Sequence, residues 1–301
     1  MCTAFSWGEG RYFGRNLDLE YHYDEAVVTL GRAYPLSFRH TEAIDTRYAM
    51  IGIATVKDGY PLFYDGMNEH GLCMAALNFV GNAYYGSLSE GALNLAPYEL
   101  IPYLLSRCRT VQEVKKMLRK ISLVATPFSP DLPLAELHFL VSDKKESLVV
   151  EPRRTGVKCY TSSLGVLTNN PPYAFHLLNI QQYGHLSAKE SGVTFSRGMS
   201  AFGLPGDASS ASRFVRAAFV KENATFGENE RYQVGQCFHI LSSVAMVEGC
   251  IRLKTGMPKT VYSVCLDKNT CTYHVTTYEN PTPLAVTLDC QKTFDERKIF
   301  S

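Results

Sequence analysis

The chain has 301 residues, 46% of them hydrophobic and 20% charged, enough to bury a large core. Thirty basic side chains stand against twenty-nine acidic ones with no long run of either sign, so neither a nucleic-acid surface nor a basic membrane-binding tail is expected, and the partner is a small molecule. No apolar run approaches the ~20 residues of a membrane span, and the N-terminus lacks the basic and apolar regions of a signal peptide, which points to the cytoplasm.

Thr3 to Trp7 alternates polar and apolar side chains, Gly8-Glu9-Gly10 offers a turn, and Arg11 to Gly14 runs extended again, a β-hairpin pattern. Ala26 to Leu30, Tyr48 to Thr55, Tyr60 to Asp65 and Leu72 to Phe79 are rich in β-branched, aromatic and aliphatic residues and read as antiparallel strands. Tyr98 to Cys108 is largely apolar and helical in character, and Thr110 with Glu113 forms a capping-box signature ahead of Val111, Val114, Met117 and Leu118 at helical spacing. Leu137 to Ser142 and Ser147 to Glu151 flank a charged turn at Lys144-Lys145, and Tyr160 to Thr168 continues the strand pattern. A helix around Ala174 to Gln182 leads into a loop from Gly184 to Asp207, a length that marks function or an interface. Helices follow at Ser210 to Val220 and Tyr232 to Val247, then strands Thr260 to Leu266 and Thr272 to Tyr278 joined by Asp267-Lys268-Asn269. Two blocks of strands, each with paired helices, predict sheets packed face to face with helices outside, in one α+β domain spanning residues 1–301.

The nine cysteines are scattered without a CxxC pair, so neither a zinc site nor a disulfide framework is signalled and no metal or cofactor is expected. Apart from Cys2 they read as small buried hydrophobes, as in Leu72-Cys73-Met74-Ala75-Ala76. Cys2 follows Met1 directly. Removal of the methionine makes it an N-terminal residue whose α-amine, near pH ~8, is matched to accept a proton from a thiol near ~8.5. That is nucleophile activation without a separate histidine, and none of the eight histidines is then required. A cysteine at position 2 also occurs by chance in disordered termini; the hairpin pattern behind it argues for order. Arg15 and Asp18, three apart in Gly14-Arg15-Asn16-Leu17-Asp18, are either an ion pair on a loop or groups that the hairpin returns to the N-terminus. Asn169, before Asn170-Pro171, and Arg213, on a predicted helix, have the equally open readings of a turn residue and the partner of an acid.

Met1-Cys2-Thr3, Phe13 to Asp18, Asp65-Gly66-Met67-Asn68-Glu69-His70-Gly71-Leu72, Leu77-Asn78-Phe79, Gly165 to Pro171, Gly203 to Asp207, Ala211-Ser212-Arg213-Phe214 and Thr277 to Asn280 run in order along the chain. With these blocks the sequence resembles the choloylglycine hydrolases, N-terminal-nucleophile amidases that include bile salt hydrolases and penicillin V acylases. The resemblance implies a four-layer αββα fold, Cys2 as nucleophile, Asp18 holding its amine, and Arg15 and Arg213 favouring thiolate. It also implies an oxyanion site made by the Asn169 side chain and the Asn78 backbone amide. Leu19 departs from the aromatic residue usual after this arginine–aspartate motif. Asn78 resembles the bile salt hydrolases, where penicillin V acylases carry tyrosine. The substrate implied is a glycine- or taurine-conjugated bile salt, with Leu17, Tyr21, Phe128 and Leu132 as candidates for the steroid wall. A penicillin V or other N-acyl amide acylase is the alternative within enzymes, and a bile-acid-binding protein the alternative outside them. The family commonly forms tetramers, so a homotetramer is expected, with the Gly184 to Asp207 loop as a contact.

Overall fold

The computed structural model describes residues 1–192 and 195–300; residues 193 and 194, within the expected Gly184–Asp207 loop, and residue 301 lie outside the described residues. The chain opens on strands β1 (Cys2–Trp7) and β2 (Tyr12–Leu19), paired antiparallel from Cys2↔Leu17 to Trp7↔Tyr12. Gly8, Glu9 and Gly10 all have positive φ, and a Cβ on Gly10 would lie 2.4 Å from the Lys144 carbonyl oxygen, so the turn requires glycine there. Gly14 to Asp18 lies within β2, so of the two readings of Arg15 and Asp18 the one on a loop falls away, and β1 and β2 are buried on both faces.

The remaining main strands are β3 (Ala26–Leu30), β4 (Met50–Lys57), β5 (Tyr60–Asn68), β6 (Cys73–Asn78), β7 (Leu137–Ser142), β8 (Ser147–Arg153), β9 (Gly156–Ser162), β10 (Val166–Leu167), β11 (Lys259–Asp267), β12 (Thr272–Thr277), β13 (Leu284–Thr287) and β14 (Phe294–Lys298). They form a six-stranded sheet in the order β10-β1-β2-β11-β12-β13 and an eight-stranded sheet in the order β9-β8-β7-β6-β5-β4-β3-β14. The two sequence blocks are thus interleaved: the first hairpin joins the sheet of the last one, and β14 returns to the other sheet beside β3. Strands β13 and β14 carry mostly exposed side chains and lack the apolar alternation that marks the others.

Helices α1 (Leu100–Arg107) and α2 (Val111–Leu118) cover the eight-stranded sheet, while α3 (Tyr173–Asn179), α4 (Ser210–Asn223) and α5 (Glu230–Ser242) belong with the six-stranded one. The period-two alternation of the strands sorts the core. Val27, Ile51, Ala75, Leu77, Leu140 and Val149 join the cluster containing the six-stranded sheet, and Val28, Met50, Met74, Phe139, Val141 and Val150 pack in a second cluster with Leu100, Leu104, Val111 and Val114. This is the αββα sandwich.

Three local expectations change. Thr110 caps α2 by accepting from the Glu113 amide, but Glu113 reaches back to the Arg109 amide rather than to Thr110. Helix α5 ends at Ser242 instead of Val247, because Met246 leaves it to donate its amide to the Thr260 hydroxyl on β11. Tyr160 to Thr168 is two strands in different sheets, divided at Gly165, whose φ is +57° and whose amide is held by Ser162. Among the cysteines, Cys73, Cys108, Cys237 and Cys265 are buried as expected, whereas Cys159 and Cys250 are exposed. No helix among the described residues is long and apolar enough to cross a membrane.

Candidate active site

The edge of the first hairpin places Cys2 in the core, 2% exposed, beside Leu17 on the neighbouring strand. Arg15, two residues along β2 and on the same face as Leu17, sends Nη2 to within 3.6 Å of Cys2 Sγ and 3.1 Å of the Ala76 carbonyl oxygen. Its Nη1 pairs with Asp65 Oδ2 at 2.7 Å and also contacts the Tyr262 hydroxyl, which itself donates to Asp65 Oδ2 at 2.6 Å. Arg15 is therefore not the partner of Asp18: its counter-ion comes from β5, fifty positions away. Burial alone would lower the Arg15 pKa, but Tyr262, Cys2, Asp65 and Asp18 together raise it, keeping the guanidinium charged. Burial pushes the Asp65 carboxyl up, and Arg15 and Tyr262 pull it back towards the ionised form.

On the other side of Cys2, the break at Gly165 lets β10 pair with β1 and delivers Asn169 to the N-terminus. Asn169 Oδ1 accepts from the Cys2 amide at 2.7 Å and from Arg213 Nη2 at 2.8 Å; this fixes the side chain so that Nδ2 donates to the Asn78 carbonyl at 2.9 Å. Backbone ties hold it there: its amide donates to the Ser210 hydroxyl, and its carbonyl meets His176 Nε2 at 2.9 Å. His138, likewise buried, meets the Thr168 carbonyl, so both buried histidines serve the backbone. In an extended strand a residue's N–H and C=O point to the same side. The Asn78 amide thus faces Asn169, on the side where the β5–β6 pairing has already ended at Asp65↔Ala75.

Arg213 lies on α4, fully buried, and donates to the Cys2 carbonyl, to Thr3 Oγ1 at 2.7 Å and to the Ala208 carbonyl at 3.0 Å. Burial lowers its pKa, partly offset by Asp18 and Cys2. Asp18 is also fully buried. Its Oδ1 accepts from Thr260 at 2.7 Å, while Oδ2 has no hydrogen-bond partner among the described residues. Burial raises the Asp18 carboxyl; Arg213, the chain's terminal ammonium and the Thr260 hydrogen bond act in the opposite sense.

A cavity of about 360 Å³ ends on Cys2, Arg15 and Asn78. Strands β5 and β6 pair over only three positions, the β4–β5 pairing has a register irregularity between Ile53 and Ala54, and Leu62 and Phe63 line the cavity together with Ala76 and Asn78. Three of the four expected wall residues, Leu17, Phe128 and Leu132, line this cavity, as does Leu19. Tyr21 does not: it is 57% exposed and its ring stacks obliquely on Tyr23, which takes the place at the wall. Asp65 and Tyr262 were missed as site residues. The available signal was the need of a buried arginine for a buried counter-charge, and Asp65 begins one of the motif blocks.

Buried arginines, a fixed amide donor and a thiol meet at the end of an apolar cavity, an arrangement suited to an amide substrate, on an N-terminal-nucleophile hydrolase fold. The chain matches the linear amide C–N hydrolases of the choloylglycine hydrolase family over residues 2–299 and belongs to that family; it is an amide hydrolase. It is 45% identical over 300 residues to a bile salt hydrolase/transferase of Lactiplantibacillus plantarum, covering 96% of this chain and 93% of that one. It is 36% identical to a conjugated bile acid hydrolase of Lactobacillus gasseri, covering 91% and 92%. A crystal structure of a mutant conjugated bile acid hydrolase from Clostridium perfringens superposes with a TM-score of 0.91 at 30% identity, over 100% of this chain and 97% of the other. Penicillin V acylase from Agrobacterium tumefaciens shares the fold, with a TM-score of 0.79 at 18% identity over 95% and 86%.

Proposed function

We propose that this enzyme, acting as a single domain, hydrolyses the amide bond of glycine- or taurine-conjugated bile salts, with Cys2 as nucleophile after removal of Met1. The observation that carries this reading is the position of Cys2 Sγ, 3.6 Å from Arg15 Nη2 at the end of a cavity walled by Leu17, Phe63, Ile101 and Leu132. A volume of about 360 Å³ falls in the ~300–1,000 Å³ range of small-molecule sites. A steroid fits such apolar walls, and the polar amide end then reaches the asparagines. The names of the relatives support the same substrate class.

In this mechanism the freed α-amine takes the thiol proton, and the thiolate attacks the amide carbon. Negative charge develops on the carbonyl oxygen, where the Asn78 amide and the second Nδ2 hydrogen of Asn169 receive it. The α-ammonium returns the proton to the leaving nitrogen, releasing glycine or taurine and leaving a thioester. Water, deprotonated by the same amine, hydrolyses the thioester and regenerates Cys2. Asp18 Oδ2, buried and without a hydrogen-bond partner among the described residues, is the acceptor that would hold the α-ammonium.

Intact-mass measurement should show loss of Met1, and Cys2→Ala should abolish hydrolysis of taurocholate and glycocholate while leaving the fold in place. An active enzyme that retains Met1 would overturn the mechanism. Conjugated bile salts should be preferred over penicillin V; a tenfold preference the other way, about 1.4 kcal/mol in transition-state binding, would overturn the substrate but leave Cys2 as nucleophile. We propose in addition a cytoplasmic homotetramer. Nine free thiols suit a reducing compartment, and exposed Phe175, Leu178 and Phe202 on α3 and the following loop suit a subunit contact. Light scattering on the purified protein tests the assembly.

A further inference from the structure

Among the apolar residues of the cavity, Thr55 on β4 and Tyr64 on β5 both line the wall and carry hydroxyl groups 3.0 Å apart. Their hydrogen bonds have a fixed sense. Thr55 has one hydroxyl proton and gives it to the Tyr23 carbonyl oxygen at 2.9 Å. The Thr55–Tyr64 contact must then use the proton of Tyr64, with Thr55 Oγ1 accepting. The Tyr64 phenol, held neutral because burial raises its pKa, has no proton left and offers only lone pairs. Other hydroxyls at the wall are engaged too: Tyr23 donates to Tyr21 at 3.0 Å, Tyr98 accepts from Arg39 at 3.0 Å, and Thr126 meets His40 at 2.7 Å.

We infer that Tyr64 is a specificity-determining residue, an acceptor-only subsite that selects acyl groups bearing a hydroxyl donor on the ring system and disfavours a keto group at the same place. The inference rests on the bile-salt reading of the cavity. A ring hydroxyl donates to Tyr64 Oη and takes the place of the water that this oxygen would otherwise keep. A ketone puts one acceptor against another and leaves both desolvated and unpaired, the more costly outcome.

The test uses taurine conjugates that share one amide end: cholanoyltaurine, which has no ring hydroxyl, the mono-, di- and trihydroxylated conjugates, and the 7-oxo and 12-oxo analogues of the hydroxylated ones. For wild type, kcat/KM for at least one hydroxylated conjugate should exceed that for its oxo analogue by about tenfold. In Tyr64→Phe the ratio of that conjugate to cholanoyltaurine should fall five- to tenfold, whatever happens to absolute rates. Thr55→Val frees the Tyr64 proton, turning the phenol into a donor, and should shrink or reverse the hydroxyl-over-oxo preference. Equal Tyr64→Phe effects on every conjugate, or an unchanged hydroxyl-to-oxo ratio in Thr55→Val, would overturn the inference and leave the bile-salt reading standing. Absence of wild-type turnover on all the conjugates would overturn both.

Discussion

Two buried arginines flank Cys2, and they are stabilised in opposite ways. Arg15 faces a carboxylate, Asp65, at 2.7 Å, and its charge is neutralised in contact. Arg213 makes no such pair among the described residues: its contacts are the Cys2 carbonyl, Thr3, Asn169 Oδ1 and the Ala208 carbonyl, all neutral acceptors. Asp18, and Cys2 when ionised, favour its charged form. Arg15 is thus a positioned donor whose field is largely spent on Asp65, whereas the charge of Arg213 is directed at the N-terminal residue and at the aspartate beside it. Burial of an ion costs several kcal/mol, so a guanidinium without a contact carboxylate is expected where its charge serves chemistry.

The largest effect should come from breaking the neutralised side. Arg15→Leu leaves the Asp65 carboxylate buried without its contact counter-ion, with the Tyr262 hydrogen bond retained, and should cost roughly 3–5 kcal/mol of stability. Arg15→Leu combined with Asp65→Leu removes both charges and should recover much of that loss in chemical denaturation without restoring hydrolysis. For Arg213→Leu the corresponding rescue with Asp18→Asn should be much weaker, because four acceptors lose the guanidinium, although Asn169 Oδ1 keeps the Cys2 amide. Equal rescue in the two cycles would erase the distinction between the arginines.

Next in size is Asn169, which connects the two sides. Its Oδ1 is held by Cys2 and Arg213, and its Nδ2 by Asn78. Asn169→Ala should lower kcat by about 10²–10³, or ~3–4 kcal/mol, with a smaller change in KM, as for removal of one oxyanion donor. A change confined to KM would assign Asn169 to substrate binding alone.

The first hairpin was legible because its signals are local: alternation, a glycine turn and alternation again lie within a dozen residues. The helices were legible from spacing and caps. What escaped was long-range. Asp65 and Tyr262 reach Arg15 across 50 and 247 positions, a separation at which no periodicity links them. Asn169 and Arg213 carried no intrinsic signal and were placed by resemblance. The register irregularity in the β4–β5 pairing, beside the cavity, is not announced by the sequence either. Tyr21 and Tyr23 are the same residue type two positions apart, and only the chain path decides which of them reaches the wall.

A third buried cation, remote from catalysis, sharpens the comparison through pH. Lys268, 1% exposed in the turn between β11 and β12, donates to Ser6 Oγ at 3.2 Å, Ser142 Oγ at 2.8 Å and the Asp143 carbonyl at 2.9 Å. Like Arg213 it has only neutral hydrogen-bond partners among the described residues, but unlike a guanidinium it can shed its proton. Burial lowers its pKa from 10.5 to about 8, although Cys73 and Asp143 act to raise it and Lys144 lowers it further. Between pH 8 and 10.5 the unfolded chain therefore holds a proton at this position that the folded chain has released, and stability rises with pH across that window. The gain is lost again as pH falls from 10.5 towards 8, below which both states hold the proton. Buried Cys73, pushed up to about 12, contributes in the opposite direction above its ordinary pKa of 9, so the total curve mixes the two. Comparing wild type with Lys268→Met cancels most of the Cys73 contribution, since Cys73 titrates in both; losing the lysine also removes an interaction that lowers Cys73, which moves that thiol further up. From pH 7.5 to 10.5 the stability of wild type relative to Lys268→Met should rise by at most about 3 kcal/mol, steepest near pH 9, as read from denaturant midpoints. A flat or falling difference would mean that Lys268 keeps its proton in the core, and that neutral acceptors alone suffice to hold a buried cation in this fold.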